Sequence, residues 1–186
     1  MGDFSYNIIR SNRKTLSMEV GAQGLIVRAP LRTSGRQIDE FVLQHRGWIE
    51  KHMKKLQQWR EQAADAPALT ADEVRKLADR ARKYLPERVS YYAPKVGVTY
   101  GRITIRSQRS KWGSCSGKGN LNFNCLLMLA PPEVIDSVVV HELCHRKEMN
   151  HSQRFYAEVL RVFPDYRRWN RWLKDNGPGL MLRRSI

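Results

Sequence analysis

The chain has 186 residues, 41% of them hydrophobic, enough to bury one ordinary core or a core with a small appendage. No apolar run approaches the roughly 20 residues of a membrane span, and Met1-Gly2-Asp3-Phe4 lacks the basic-then-apolar start of a secretory signal, so a cytoplasmic protein is expected. Thirty-three basic against eighteen acidic side chains leave a net charge of +15 and a pI near 10.2. That field either favours anionic partners (nucleic acid, nucleotides, acidic substrates) or is merely a solvated surplus.

Phe4–Arg10, Thr15–Val20 and Leu25–Arg28 are rich in β-branched and aromatic residues, broken at Ser11-Asn12 and at Gly21…Gly24. This pattern predicts a small β-meander or paired hairpins. Ser34 is placed to cap one long helix reaching about Arg60, with Ile38, Phe41, Val42, His45, Ile49, His52, Met53 and Leu56 at helical spacing. His45 and His52 on that stripe are read as packing or surface residues. Residues 61–68 read as a linker, which divides a strand-and-helix unit (1–62) from a second unit (69–176) and leaves a tail (177–186).

Thr70-Ala71-Asp72-Glu73 is a capping box. The helix that it opens carries Val74, Leu77, Ala78, Ala81, Tyr84 and Leu85 and meets Pro86, with a shorter helical piece through Tyr91 and Tyr92 beyond. Arg102–Arg106 alternates polar and apolar residues as a half-buried strand should. Arg109–Gly117 is a turn-rich loop, and Asn120–Leu129 reads as one or two strands. Within the loop, Trp112 and Ser114 are candidates to line a cleft, with Arg109 and Lys111 to bind an anion; in the plainer alternative Trp112 packs in the core and Gly113 only permits a turn.

Pro131-Pro132-Glu133 opens a helix that Val134, Ile135, Val138 and Val139 are apolar enough to bury. It carries His141-Glu142-Leu143-Cys144-His145, an H-E-x-x-H pattern that puts two imidazoles on one face, one turn apart. Such a pair suits Zn²⁺, and Glu142, about 100° round the helix, can reach a metal-bound water without itself ligating. A catalytic zinc needs a third protein ligand and an open position, and His151 is the best-placed candidate. Asn150 can end the helix in a left-handed conformation. His151-Ser152 start the next one, with Phe155, Tyr156, Val159, Leu160 and Phe163 inward and Pro164 as its stop. A last amphipathic stretch, Tyr166–Leu173, precedes a Gly-Pro-Gly tail expected to fray. The spacing also matches metzincins, but Glu148 stands where they need a glycine to turn sharply, which excludes that reading. Cys144 is read as a small buried residue. Cys115, Cys125 and Cys144 form no C-x-x-C pair, which leaves zinc-finger and thioredoxin-type motifs unsupported.

Arg10-Ser11-x-Arg13-Lys14-Thr15-Leu16, Val27-Arg28-Ala29-Pro30, Trp48-Ile49, Arg109-x-x-Trp112-Gly113-Ser114-Cys115-Ser116 and His141-Glu142-Leu143-Cys144-His145…Asn150-His151-Ser152-x-x-Phe155 together resemble the YgjP-like metallopeptidase-domain family. The active-site half also resembles SprT-like and WLM zinc peptidases. The resemblance implies an α+β fold with a compact zincin (gluzincin-like) core, one Zn²⁺ per chain on His141, His145 and His151, and Glu142 as general base. Arg146 stands where many relatives have an apolar residue and is read as a surface variation.

The expected activity is that of a zinc-dependent hydrolase, a metallopeptidase whose zinc-bound water is activated by Glu142, with substrate extended along Asn120–Asn124 or Leu126–Leu129 as an edge strand. Arg102, Arg106, Arg109, Lys111 and Lys118 share the stretch 100–130 with no carboxylate. A metal-dependent nucleoside triphosphate (UTP-type) pyrophosphatase is therefore the alternative, and a peptidase acting on DNA-bound proteins lies between the two. A non-catalytic zinc-containing nucleic-acid-binding module is less well matched, because structural zinc is usually closed by four ligands.

Overall fold

The computed structural model describes residues 4–21, 24–64, 67–108 and 111–183. It is a mixed α+β structure that divides into two compact units, Met1–Asp65 and Ala66–Ile186.

In the first unit β1 (Tyr6–Ser11), β2 (Ser17–Gly21) and β3 (Gly24–Pro30) form a sheet in the order β1-β3-β2. Strand β3 is central because its alternation is complete: Leu25, Val27 and Ala29 are buried against Ile38, Val42 and Ile49. The expected meander is not what forms. β2 is antiparallel to β3, but β1 runs parallel to it. The far end of β1 is tied down by Arg10, whose guanidinium donates to the Pro30, Leu31 and Thr33 carbonyls at 2.6–3.3 Å.

The single long helix expected after Ser34 is two helices, α1 (Gly35–Gln44) and α2 (Arg46–Ala64). Ser34 caps the first, in a capping box with Gln37. The break falls at His45, whose amide bonds Val42 while its ring Nδ1 lies 2.8 Å from the Phe41 carbonyl that a continuing helix would use. The predicted linker is shorter than expected, since α2 runs to Ala64.

In the second unit Thr70 and Glu73 form the capping box of α3 (Ala71–Val96). Pro86 does not end this helix. Leu77, Ala81, Leu85, Val89, Tyr92 and Val96 make one buried stripe that continues past it. Their burial outweighs the roughly 3 kcal/mol cost of an interior proline. Gly97, in the left-handed region at φ 78°, closes the helix.

Strands β4 (Ile103–Arg106), β5 (Gly113–Cys115) and β6 (Leu121–Asn124) form a second sheet in the order β4-β6-β5. β6 is therefore central, not the edge expected of Asn120–Asn124, and Cys125–Leu129 is a 3₁₀ turn. Asn124 makes that switch: its Oδ1 accepts from the Leu126 amide, and its Nδ2 donates to the Gln108 and Lys111 carbonyls.

The α3 stripe, the 3₁₀ turn and α4 (Pro132–Cys144) enclose the core. α4 is buried from Val134 to Val140 and again at Glu142–Cys144. It ends at Cys144, earlier than expected, and Asn150 is not left-handed: no non-glycine among the described residues has a positive φ. The Lys147 and Glu148 amides close the turn on the Cys144 carbonyl. Ser152 caps α5 (Gln153–Val162), and α6 runs from Tyr166 to Leu182. The Gly-Pro-Gly segment expected to fray is thus helical. Gly177 lets the helix pass close to Trp112, since a Cβ there would come within 3.0–3.2 Å of the indole ring. The Leu69 amide donates to the Arg183 carbonyl at 2.6 Å, fastening the end of α6 to the start of the unit. Among the described residues no helix is long and apolar enough to cross a membrane.

One ion pair fixes α4 against α3. Arg88 grips Asp136 through two bonds of 2.7 Å, and the Tyr92 hydroxyl lies 3.1 Å from the same carboxylate. Arg88→Ala leaves a carboxylate nearly buried and unpaired, and a loss of about 2–4 kcal/mol is expected in denaturant unfolding. The double change Arg88→Met with Asp136→Leu should restore most of it.

Candidate metal centre

α4 brings His141 and His145 to one end of the core, and the turn after it returns His151 to face them. All three converge through their Nε2 atoms. His145 Nε2 is 3.2 Å and His151 Nε2 3.0 Å from His141 Nε2. Four-coordinate zinc with bonds of 2.0–2.1 Å sets its ligand atoms roughly 3.3 Å apart. The three rings could hold a metal ion, and the spacing fits one.

The opposite ring nitrogens are held as well. His145 Nδ1 lies 3.1 Å from the Glu148 carbonyl, which can only accept, so this nitrogen carries the proton and Nε2 keeps its lone pair. His141 Nδ1 is 2.8 Å from the Tyr166 hydroxyl at the start of α6. Burial raises the Tyr166 pKa, which keeps the phenol neutral and able either to donate to that ring or to accept from it. Phe155, fully buried, lies under all three imidazoles at ring distances of 4.6–4.9 Å, and Tyr156 stacks on His151 at 6.2 Å. Burial, with His145 and His151 beside it, lowers the His141 pKa to about 3; burial also lowers that of His145. These two rings are therefore neutral near pH 7, the state that binds metal.

Glu142 is 5% exposed, and its pKa is pushed up to about 8 by burial, with Lys111 opposing. Its carboxyl lies against β5 at Gly113, where a Cβ would come within 2.6–2.9 Å of Oε1, Cγ and Cδ. Gly113 thus does more than permit a turn. Its missing side chain is the space that Glu142 occupies.

Lys111 is near enough to Glu142 to lower its pKa, and Ser114 follows Gly113 on β5. Trp112 packs half-buried against the core with its ring beside Gly177. Ser114 Oγ accepts from Asn122 at 3.2 Å, and Lys111 is exposed. Arg109 lies outside the described residues. Cys144 is fully buried, its thiol pushed to about 12 by burial. Arg146 is more than a surface variation: it donates to the Thr99 and Gly117 carbonyls at 3.1 and 3.3 Å and fills the space over Gly119. Gly113, Tyr166 and the Glu148 carbonyl were not foreseen, since spacing along the chain gives no sign of contacts made across elements.

Three converging imidazoles with a buried carboxyl at the residue after His141 form a cluster that could hold one metal ion. The chain belongs to the YgjP-like metallopeptidase-domain family, whose profile matches residues 14–77 and 60–176. It is accordingly a metal-dependent hydrolase of the metallopeptidase kind. Two solved structures are similar to part of it. One is the metallopeptidase zymogen abylysin of Pyrococcus abyssi, with 21% identity, TM-score 0.45, and coverage of 55% of this chain and 98% of that one. The other is the zymogen jannalysin of Methanocaldococcus jannaschii, with 20% identity, TM-score 0.44, and coverage of 50% and 95%. A comparison with curated proteins finds no match.

Two outcomes are expected. Gly113→Ala must displace the Glu142 carboxyl; metal titration should be unchanged while metal-dependent hydrolysis falls about 10²-fold, as for a misplacement of this size. The second concerns pH. The folded-state pKa of Glu142 lies above its unfolded value, so its contribution is full below about pH 4.5 and is lost as pH rises to about 8. In metal-free protein Glu142→Gln should therefore be the more stable form at pH 8–9, by on the order of a few kcal/mol, with the gap closing toward pH 5. Denaturant unfolding at both pH values reads it.

Proposed function

We propose that this chain is a zinc-dependent peptidase with a gluzincin-like zincin core, in which His141, His145 and His151 hold the metal and Glu142 is the general base. The observation that carries the reading is the place of Glu142, one residue from a ligand and pressed against the strand edge at Gly113. Zinc held by these three imidazoles would supply Lewis acidity, polarising a carbonyl and making water a stronger acid. The Glu142 carboxylate accepts the proton of the attacking water and returns it to the leaving nitrogen. His145 is kept in the ligating tautomer by the Glu148 carbonyl, and the Tyr166 hydroxyl holds the His141 ring in orientation.

β5 is an edge strand, paired on one side with β6. An extended substrate added along β5 would have its backbone aligned by strand hydrogen bonds, with the scissile carbonyl brought to the metal beside Glu142. This replaces the expectation that Asn120–Asn124 or Leu126–Leu129 is the docking edge.

The test compares zinc-loaded protein with Glu142→Gln on unfolded proteins and peptides, with and without DNA, and on nucleoside triphosphates. Peptide cleavage should fall by about 10²–10⁴-fold in Glu142→Gln, with one zinc still bound. His151→Ala should lose zinc at chelator concentrations that the parent chain withstands. Glu142-dependent turnover of nucleotides alone would replace this reading with phosphate chemistry. Full function in Glu142→Gln would make the zinc structural.

A further inference from the structure

We propose that the open edge of β4 is a second docking groove, built for an extended acidic peptide segment whose carboxylates are four residues apart. It lies on the opposite side of the sheet from β5, and its reading as a binding site does not depend on what the metal centre cleaves.

Three observations combine there. First, β4 has a single strand neighbour, β6, so one of its edges is unpaired within the sheet. Ile103 pairs with Leu121, whose amide donates to the Arg102 carbonyl at 2.9 Å. In a parallel ladder this fixes the alternation: Arg102, Thr104 and Arg106 turn backbone groups to β6, while the N–H and C=O of Ile103 and Ile105 point to the open edge. Second, a groove of about 430 Å³ follows that edge, with Arg82 and Pro86 of α3 on one wall and residues 102–106 on the other. Third, the groove is basic. Arg82, Arg102 and Arg106 line it, and no carboxylate occurs in the sequence from Gly97 to Pro132. Arg82 is shared with Asp79 at 2.5 Å, and Arg106 gives only its Nε to Asn122 at 3.2 Å. Arg102 makes no side-chain bond among the described residues.

These features select the occupant. Arg102, Thr104 and Arg106 alternate with Ile103 and Ile105, which pack on the core, so the polar trio shares the other face. At about 3.3 Å per residue, the two arginines stand roughly 13 Å apart along the strand. A peptide paired with β4 has the same pitch, so its acidic residues fall opposite them at positions four apart, with a small or hydroxyl residue over Thr104. A phosphate backbone could meet the arginines, but it has no regular row of N–H donors for the outward carbonyls of Ile103 and Ile105. A peptide strand supplies donors and acceptors in register.

The experiment measures binding to the full chain by fluorescence anisotropy. The probe is a short β-prone peptide with two glutamates four residues apart around a threonine. Three controls accompany it: a scramble with the glutamates adjacent, the same peptide N-methylated at its edge-facing amides, and a single-stranded oligonucleotide. The expected result is binding by the designed peptide, about tenfold weaker with the scramble and in Arg102→Glu or Arg106→Glu, and abolished by N-methylation. Unchanged melting temperature and unchanged cleavage of a short neutral peptide keep the variants interpretable. Equal binding of the N-methylated peptide would reduce the groove to unspecific charge attraction and overturn the proposal. Tighter binding of the oligonucleotide, lost in the same arginine variants, would overturn it in favour of a nucleic-acid site. No binding of the designed peptide would also overturn it.

Discussion

Everything in the second unit answers one constraint: a helix buried on almost every side must present polar, ionisable groups at its end. α4 is apolar along most of its length because it fills the core, yet it carries His141, Glu142 and His145. Burial penalises charge, so His141 loses its proton readily and Glu142 holds its proton firmly. His141 and His145 are thus neutral donors beside a buried carboxyl, with His151 reaching them from the exposed side. A divalent cation reverses the balance, since its charge favours an ionised carboxylate beside it and needs neutral imidazoles around it.

Rigidity at this centre comes from its neighbours. On one side Arg88 and Tyr92 of α3 satisfy Asp136 on the body of α4. On the other, α6 contributes two contacts: Tyr166 to the His141 ring, and Gly177 to the Trp112 ring. Trp112 and Gly113 are adjacent in sequence and touch different helices, the first α6 and the second Glu142 of α4. The dipeptide therefore locks the strand edge between both. A bulkier residue at 113 would act on the carboxyl without touching any ligand.

Local chemistry was readable in the sequence and long-range pairing was not. The caps at Ser34, Thr70 and Ser152 each involve residues within three positions, and the H-E-x-x-H spacing encodes a helix face directly. Pro86 misled because proline is a local signal, whereas the stripe from Leu77 to Val96 that overrides it is periodic over the whole helix and could have been followed past it. Gly177 and Pro178 misled for the same reason, with the partner that stabilises the helix, Trp112, lying far away in the chain. The parallel pairing of β1 with β3 carries no local mark at all. Neither does the His45 break, where one imidazole takes a carbonyl from its own helix.

The basic surplus around the sheet also bears on the chemistry of Glu142. A base that removes a proton from water near neutrality works best with a pKa close to that pH, neither a strongly acidic carboxylate nor a fully neutralised one. Burial raises the Glu142 pKa, which stands at about 8 with the opposing pull of Lys111 included. Lys111 pulls it back, and with no carboxylate between Gly97 and Pro132 the neighbouring sheet adds no negative charge against that pull. A second acidic side chain on β5 or β6 would raise the pKa further. With no carboxylate in that stretch, the Glu142 carboxyl is set between burial on one hand and the charge of Lys111 on the other.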